Sequence, residues 1–214
     1  MPFSWPGFTA ALSPWFIGEA GRPGLQGSVI GGGKSSYDGS TGSDTAKLIR
    51  AEYEIAMMSA TTMMFSQPIA PGKGGYSGKL LVKGFEAGFK MQAEAGGTDL
   101  GMAPYVVMAA GVLASWAKPV KFLPMPPLPG TIGPNPAMVG APTTANHTIM
   151  PGSPMPLGAL IMQAFQCGSA SGIAPLLVTA FKTHLMSVAG LYHPMMVAVP
   201  SPIPGPPIPW TGIM

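Results

Sequence analysis

The sequence predicts a mostly α-helical protein built from internally duplicated short helix pairs. Each pair is followed by an extended proline-rich arm, and a further extended arm leads the chain. Three observations predict it. Residues 91–110 (MQAEAGGTDLGMAPYVVMAA) and 162–181 (MQAFQCGSASGIAPLLVTAF) share nine identities in twenty, without a gap, at an offset of 71. Two unrelated windows of this composition should share roughly one or two. Apolar residues recur at helical spacing from residue 43 onward. Each echo then runs into uncharged, proline-dense sequence.

Residues 1–42 are rich in Gly, Ser, Pro and aromatics and show no sustained period, so an extended N-terminal arm is expected. Phe3, Trp5, Phe8, Trp15 and Phe16 are its candidate anchors on a neighbour. The next unit, 43–75, is an amphipathic helix and a loop. Ser43 or Asp44 would cap the helix, and Ile49, Tyr53, Ala56, Ala60 and Met64 would form its apolar face. Lys47, Arg50 and Glu54 fall on the opposite, wet face.

The first repeat, 76–151, opens with a helix from about Ser77 to Ala95. Glu86 and Lys90 form a favourable i,i+4 pair, and Gly84 and Gly88 leave a face where another helix can approach closely. Gly96-Gly97 stops this helix. A second helix starts at Pro104 and runs to about Trp116. The second repeat, 152–214, predicts helices from about Leu157 to Gln166 and from Pro175 to about Gly190. Both repeats carry a Gly-x-Ala-Pro corner, at Gly101–Pro104 and Gly172–Pro175. There glycine permits the reversal and proline presets the next turn. The arms KPVKFLPMPPLPGTIGPNP and HPMMVAVPSPIPGPPIPWTGIM should be extended and polyproline-like. Leu123, Met125 and Leu128 in the first arm are interface candidates. So are Met195, Met196, Ile203, Ile208 and Trp210 in the second.

Charged residues make up 9% of the chain, against a usual share near 25%. No acid follows residue 99. A surface so poor in charge is expected to be covered by a partner, an oligomer or lipid. The net charge of +3 comes without a basic stripe, so no nucleic-acid partner is expected. The single cysteine, Cys167, excludes an internal disulfide, and it aligns with Gly96 as a small packing residue. The first fifteen residues carry no basic leader and are broken by prolines, which fits synthesis in a cytoplasm.

No constellation of side chains carries chemistry. GGGKSS at 31–36 lacks the glycine a phosphate loop needs five residues before Gly33, where Ser28 stands. His147, His184 and His193 have no carboxylate beyond residue 99 to orient them, and one cysteine with three scattered histidines makes no ligand set. Glu86 and Glu94 alternate with lysines, as on a solvated helix face. No enzyme, catalytic residue, cofactor, metal or small-molecule substrate is therefore expected. The methionines, such as Met57, Met58, Met63 and Met64, suit adaptable packing at an interface.

Short helices joined by glycine corners, uncharged proline arms and a tail such as PSPIPGPPIPWTGIM resemble small structural proteins of tailed-phage virions. Tail, baseplate and neck components of contractile injection machines are similar in style. The resemblance covers residues 76–214 and is one of architecture and composition. It implies a non-enzymatic part of a large homo- and hetero-oligomeric assembly, formed in the host cytoplasm and carried in the virion or particle. Its neighbours would be held through apolar arms and helix faces. The alternative is a membrane-embedded helical protein, since Leu100–Ala117 and Leu157–Phe181 are free of charge. Pro104, Pro175 and the adjacent glycines interrupt both stretches. A second alternative is a proline-rich adaptor ligand, because Lys121–Pro127 fits a basic-x-x-P-x-x-P pattern.

Overall fold

In the computed structural model the described residues are 5–17, 39–58, 60, 77–95, 98–116, 120–121, 146–150, 152–193, 195–196, 203–204 and 207–213. They are mostly helical. The helices are α1 (Pro6–Ile17), α2 (Gly39–Met57), α3 (Gly78–Glu94), α4 (Ala103–Ser115), α5 (Pro154–Phe165) and α6 (Ala170–Ser187). Each helix packs on its neighbours in sequence, and α1 returns against α6, so the six close into a ring.

Only α3–α4 and α5–α6 are joined by short turns, and each forms a helix hairpin. At one end the Ser77 amide donates to the Ser115 carbonyl at 2.9 Å, tying the start of α3 to the end of α4. The Trp116 indole donates to the Tyr53 hydroxyl of α2 at 3.0 Å. Trp5 stacks on Phe181 of α6 at 6.0 Å and meets Tyr53 edge-on at 5.9 Å. At the other end Phe16, Phe89 and Tyr105 converge on Phe165, with centroids 6.1, 5.7 and 6.3 Å away. Two aromatic clusters thus fill the two ends of one core. Such ring pairs add about 0.5–1.5 kcal/mol each to the area they bury.

The first end also carries the strands: β1 (Val120–Lys121), β2 (Asn146–Met150), β3 (Ala189–His193), β4 (Met195–Met196), β5 (Ile203–Pro204) and β6 (Ile208–Thr211). β1-β2-β3-β6 form an antiparallel sheet, with Ile149 opposite Gly190 and Gly190 opposite Trp210. β4 and β5 pair separately. Where described, the proline-rich stretches after α4 and α6 therefore include short strands that pair within the chain.

Several expectations are corrected. Residues 6–17, expected as an extended arm, are helical. Trp5, Phe8, Leu12 and Phe16 recur every three or four residues and are all buried. Their burial outweighs the ladder bond lost at Pro14. α2 starts at Gly39, before Ser43 and Asp44. Its Ile49, Tyr53 and Ala56 face the core as expected, and so does Ala60 beyond its end. Met64 lies outside the described residues. α6 begins at Ala170, and Pro175 lies inside it. The reversal before it is made by Gly168, at φ 74°, so Gly172 is not a corner, whereas Gly101 turns at φ 55° as expected. Glu86 accepts from the Ser43 hydroxyl at 2.5 Å, and Lys90 pairs with Glu94 at 3.6 Å in place of the expected Glu86–Lys90 pair.

The close approach expected at Gly84 and Gly88 is present. A Cβ on Gly84 would come within 2.6 Å of the Gly111 Cα, and one on Gly88 within 2.7 Å of the Pro104 carbonyl oxygen. Real Cβ contacts are never so short, so α3 and α4 meet backbone to backbone.

Candidate interaction surface

Ring closure sorts the charges. α2 carries Asp44, Lys47, Arg50, Glu52 and Glu54, and α3 carries Lys79, Lys83, Glu86, Lys90 and Glu94. Across α4, α5, α6 and α1 the only charged residue is Lys182. Two adjacent helices therefore carry nearly all the helix charge, and the other four form a continuous wall whose one charged side chain is Lys182. Ala10, Ala110, Gln163 and Thr179 are exposed positions along it, one from each helix.

The charged sector is a solvated helix surface. Lys47 and Asp44 pair at 3.1 Å with both side chains largely exposed, and Arg50 pairs with Glu54 at 2.9 Å. Exposed pairs of this kind contribute little, about 0.2–1 kcal/mol. Partial burial pushes the Glu52 carboxyl up from its ordinary value.

Exposed apolar side chains gather at the sheet end. Ile55 and Met58 lie at the close of α2, Met155 in the first turn of α5, Met186 in the last turn of α6, and Met150 ends β2. Met58 is 73% exposed and Met186 60%. Leu100 is the exposed apolar residue of the opposite end. Methionine suits a surface that must adapt to a partner.

The expected interface residues divide into four groups. Trp5, Phe16 and Trp210 are buried in the chain's own core. Trp15 is half-buried, its indole donating to the Thr45 hydroxyl at 2.9 Å. Met195, Met196, Ile203 and Ile208 have strand backbones. Phe3, Leu123, Met125 and Leu128 lie outside the described residues, as does the adaptor-like pattern beyond Lys121. Sequence reasoning missed the surface methionines at 150, 155 and 186, because nothing in a local window says which of many apolar residues the fold leaves outside.

Among the described residues three ionisable side chains are buried. Desolvation pushes the Tyr53 hydroxyl up, partly offset by its hydrogen bond with Trp116. Tyr105 is raised by burial, against hydrogen bonds with Gln166 and Gln92. His184 is pushed down to about 4 by burial. Among the described residues no group of His, Cys, Asp and Glu could hold a metal ion, and no helix is long and apolar enough to cross a membrane. No protein-family model, curated protein or solved structure matches the chain.

Proposed function

We propose that the chain is a non-enzymatic structural component of a large protein assembly. It is of the kind that joins tail, baseplate or neck rings in tailed-phage virions and injection machines, put together in the host cytoplasm and carried in the particle. The observation that carries this reading is the nearly uncharged wall of α4, α5, α6 and α1, with Lys182 its one charge, beside a sector that holds ten of the eleven charged residues on the helices. A free surface normally mixes charges throughout. A wall with so few is suited to burial against neighbours, since little charge must be desolvated when it is covered. The exposed methionines at the sheet end add adaptable contact area.

A test places charge on the wall at positions the fold leaves exposed. Ala110→Glu with Thr179→Glu should leave helicity and unfolding midpoint nearly unchanged, because both sites face outward. Co-sedimentation with the particle that carries the protein should be lost. Normal incorporation of the folded double variant would overturn the reading. Removing residues 200–214 is a poorer test, because it strips β6 from the sheet and Trp210 and Ile213 from the core.

A further inference from the structure

We propose that His184 is an acid-sensitive latch for the C-terminal strand: its protonation releases β6 from the sheet end while the helical ring stays closed. The proposal stands on where His184 sits. It lies in the last turn of α6, is 7% exposed, and its Nε2 meets no hydrogen-bond partner. α6 packs on α5 and α1, and neither carries an ionisable side chain. α2 also reaches it, the Tyr53 ring lying 5.2 Å from Phe181. The acids beside Tyr53 are Glu52, whose carboxylate lies by Gly7 of α1, and Glu54, which pairs with Arg50. β6 carries no ionisable side chain. On its own helix the charged neighbour is Lys182, which is exposed and of the same sign as an imidazolium. β3 follows with Tyr192 and His193, whose side chains lie outside the described set. No acid is found on α1, α5, α6, β3 or β6 to neutralise a charge on His184.

The C-terminal segment is held by the residues that follow His184. The Ile213 amide donates to the Leu185 carbonyl at 2.9 Å, and the Gly212 amide to the Val188 carbonyl at 2.8 Å. Trp210 lies opposite Gly190 and is buried, as is Ile213. β6 is an edge strand paired to β3. Hydrating a charged His184 by moving α1 or α5 would break the aromatic core, in which Phe8 and Phe181 pack at 5.8 Å and Phe16 and Phe165 at 6.1 Å. Lifting β6 breaks edge pairing and two capping hydrogen bonds and uncovers Trp210 and Ile213, whereas displacing α1 would uncover Trp5, Phe8, Leu12 and Phe16, so lifting β6 is the easier way to admit water.

The direction follows from linkage. Burial lowers the imidazole from its ordinary 6.5 to about 4. A group depressed in the folded state adds stability that is complete above the unfolded value and fades as pH falls towards the folded one. The latch is therefore shut at neutral pH and loosens from about 6.5 down to about 4. The dipole at the helix C-terminus favours the cation, but it acts on the solvated open form as well and does not hold the latch shut.

Hydrogen exchange of the full chain, corrected for intrinsic rates, tests this without a ligand and without the assembly reading. Between pH 7 and pH 4.5 the protection of residues 208–213 should fall roughly fiftyfold relative to α3 and α4. His184→Leu should remove the fall, while Glu52→Gln, which removes the raised carboxyl on α2, should leave it. Constant protection in the natural chain, an equal fall in His184→Leu, or a parallel loss in α4 would each overturn the proposal. Should His184→Leu not fold, the ring titration of His184 in the natural chain decides by NMR. A midpoint near 4, with protection falling progressively from about pH 6.5 down to it, is expected, and a midpoint near 6.5 refutes the latch.

Discussion

The hairpins α3–α4 and α5–α6 carry the sequence echo, yet they pack differently. α3 and α5 end at Glu94 and Phe165, positions matched by the offset of 71, and α4 and α6 end within one residue of a match. The inward faces do not match. Gly84 and Gly111 touch backbone to backbone, while their counterparts Met155 and Lys182 are exposed. Pro104 is buried and Pro175 exposed; Glu94 is exposed and Phe165 fully buried. α4 is enclosed by α3 and α5, whereas α6 exposes Pro175, Thr179, Lys182, Thr183 and Met186. Within the chain, then, it is α6 that is the more open, contrary to the deeper burial that its uncharged sequence suggests. Matched helix ends do not bring equal orientation: a rotation of one residue, about 100°, exchanges a core face for a wet one.

Breaking matched positions should expose that difference. Phe165→Ala removes the ring on which Phe16, Phe89 and Tyr105 converge and should cost about 3–5 kcal/mol. Glu94→Ala, at the matched site, should cost under about 0.5 kcal/mol. Urea unfolding midpoints would check both, and similar losses would show that the two helix ends are equivalent after all.

His184 matches Leu113, which is also buried. Because its imidazole is depressed to about 4 when folded, its contribution is complete above about 6.5 and disappears as pH drops towards 4. The whole effect is about 3 kcal/mol. Stability measured from pH 7 to pH 4 should fall more in the natural chain than in His184→Leu by about that amount.

Gly84→Ala forces α3 off α4 and should cost about 1–3 kcal/mol. Met155→Ala at the matched site should stay within about 0.5 kcal/mol. Thermal midpoints that shift equally would mean the α3–α4 contact is looser than its geometry. Tyr53→Phe, which removes the hydrogen bond taken from Trp116, should cost about 1 kcal/mol in the same measurement.

Much of the helical pattern was legible. The Leu81, Phe85 and Phe89 face, the glycines beside it and the stop near Gly96 are local signals, and α3 obeys them. α1 was also within reach, since Trp5, Phe8, Leu12 and Phe16 are at helical spacing; the surrounding prolines and glycines concealed it. The strands β2, β3 and β6 could not be read, because their partners lie about 20 to 40 residues away and no local rule selects such a pairing. The candidate wall was half legible. The lack of acids after residue 99 was plain, but that α1 would join the uncharged side was not.

By itself, the sequence determined that the chain is mostly helical, roughly where its helices stop, and that its acids are confined to its first half. Those follow from spacing, glycine and proline, which act over a few residues. Tertiary structure alone decided that the helices close into a ring, which face of each looks inward, and that Trp5, Phe16 and Trp210 lie inside the fold. It also decided that His184 is buried among uncharged elements. The physical reason is that burial is collective: a side chain is hidden only by elements distant in sequence, and their positions are set by packing the whole core at once.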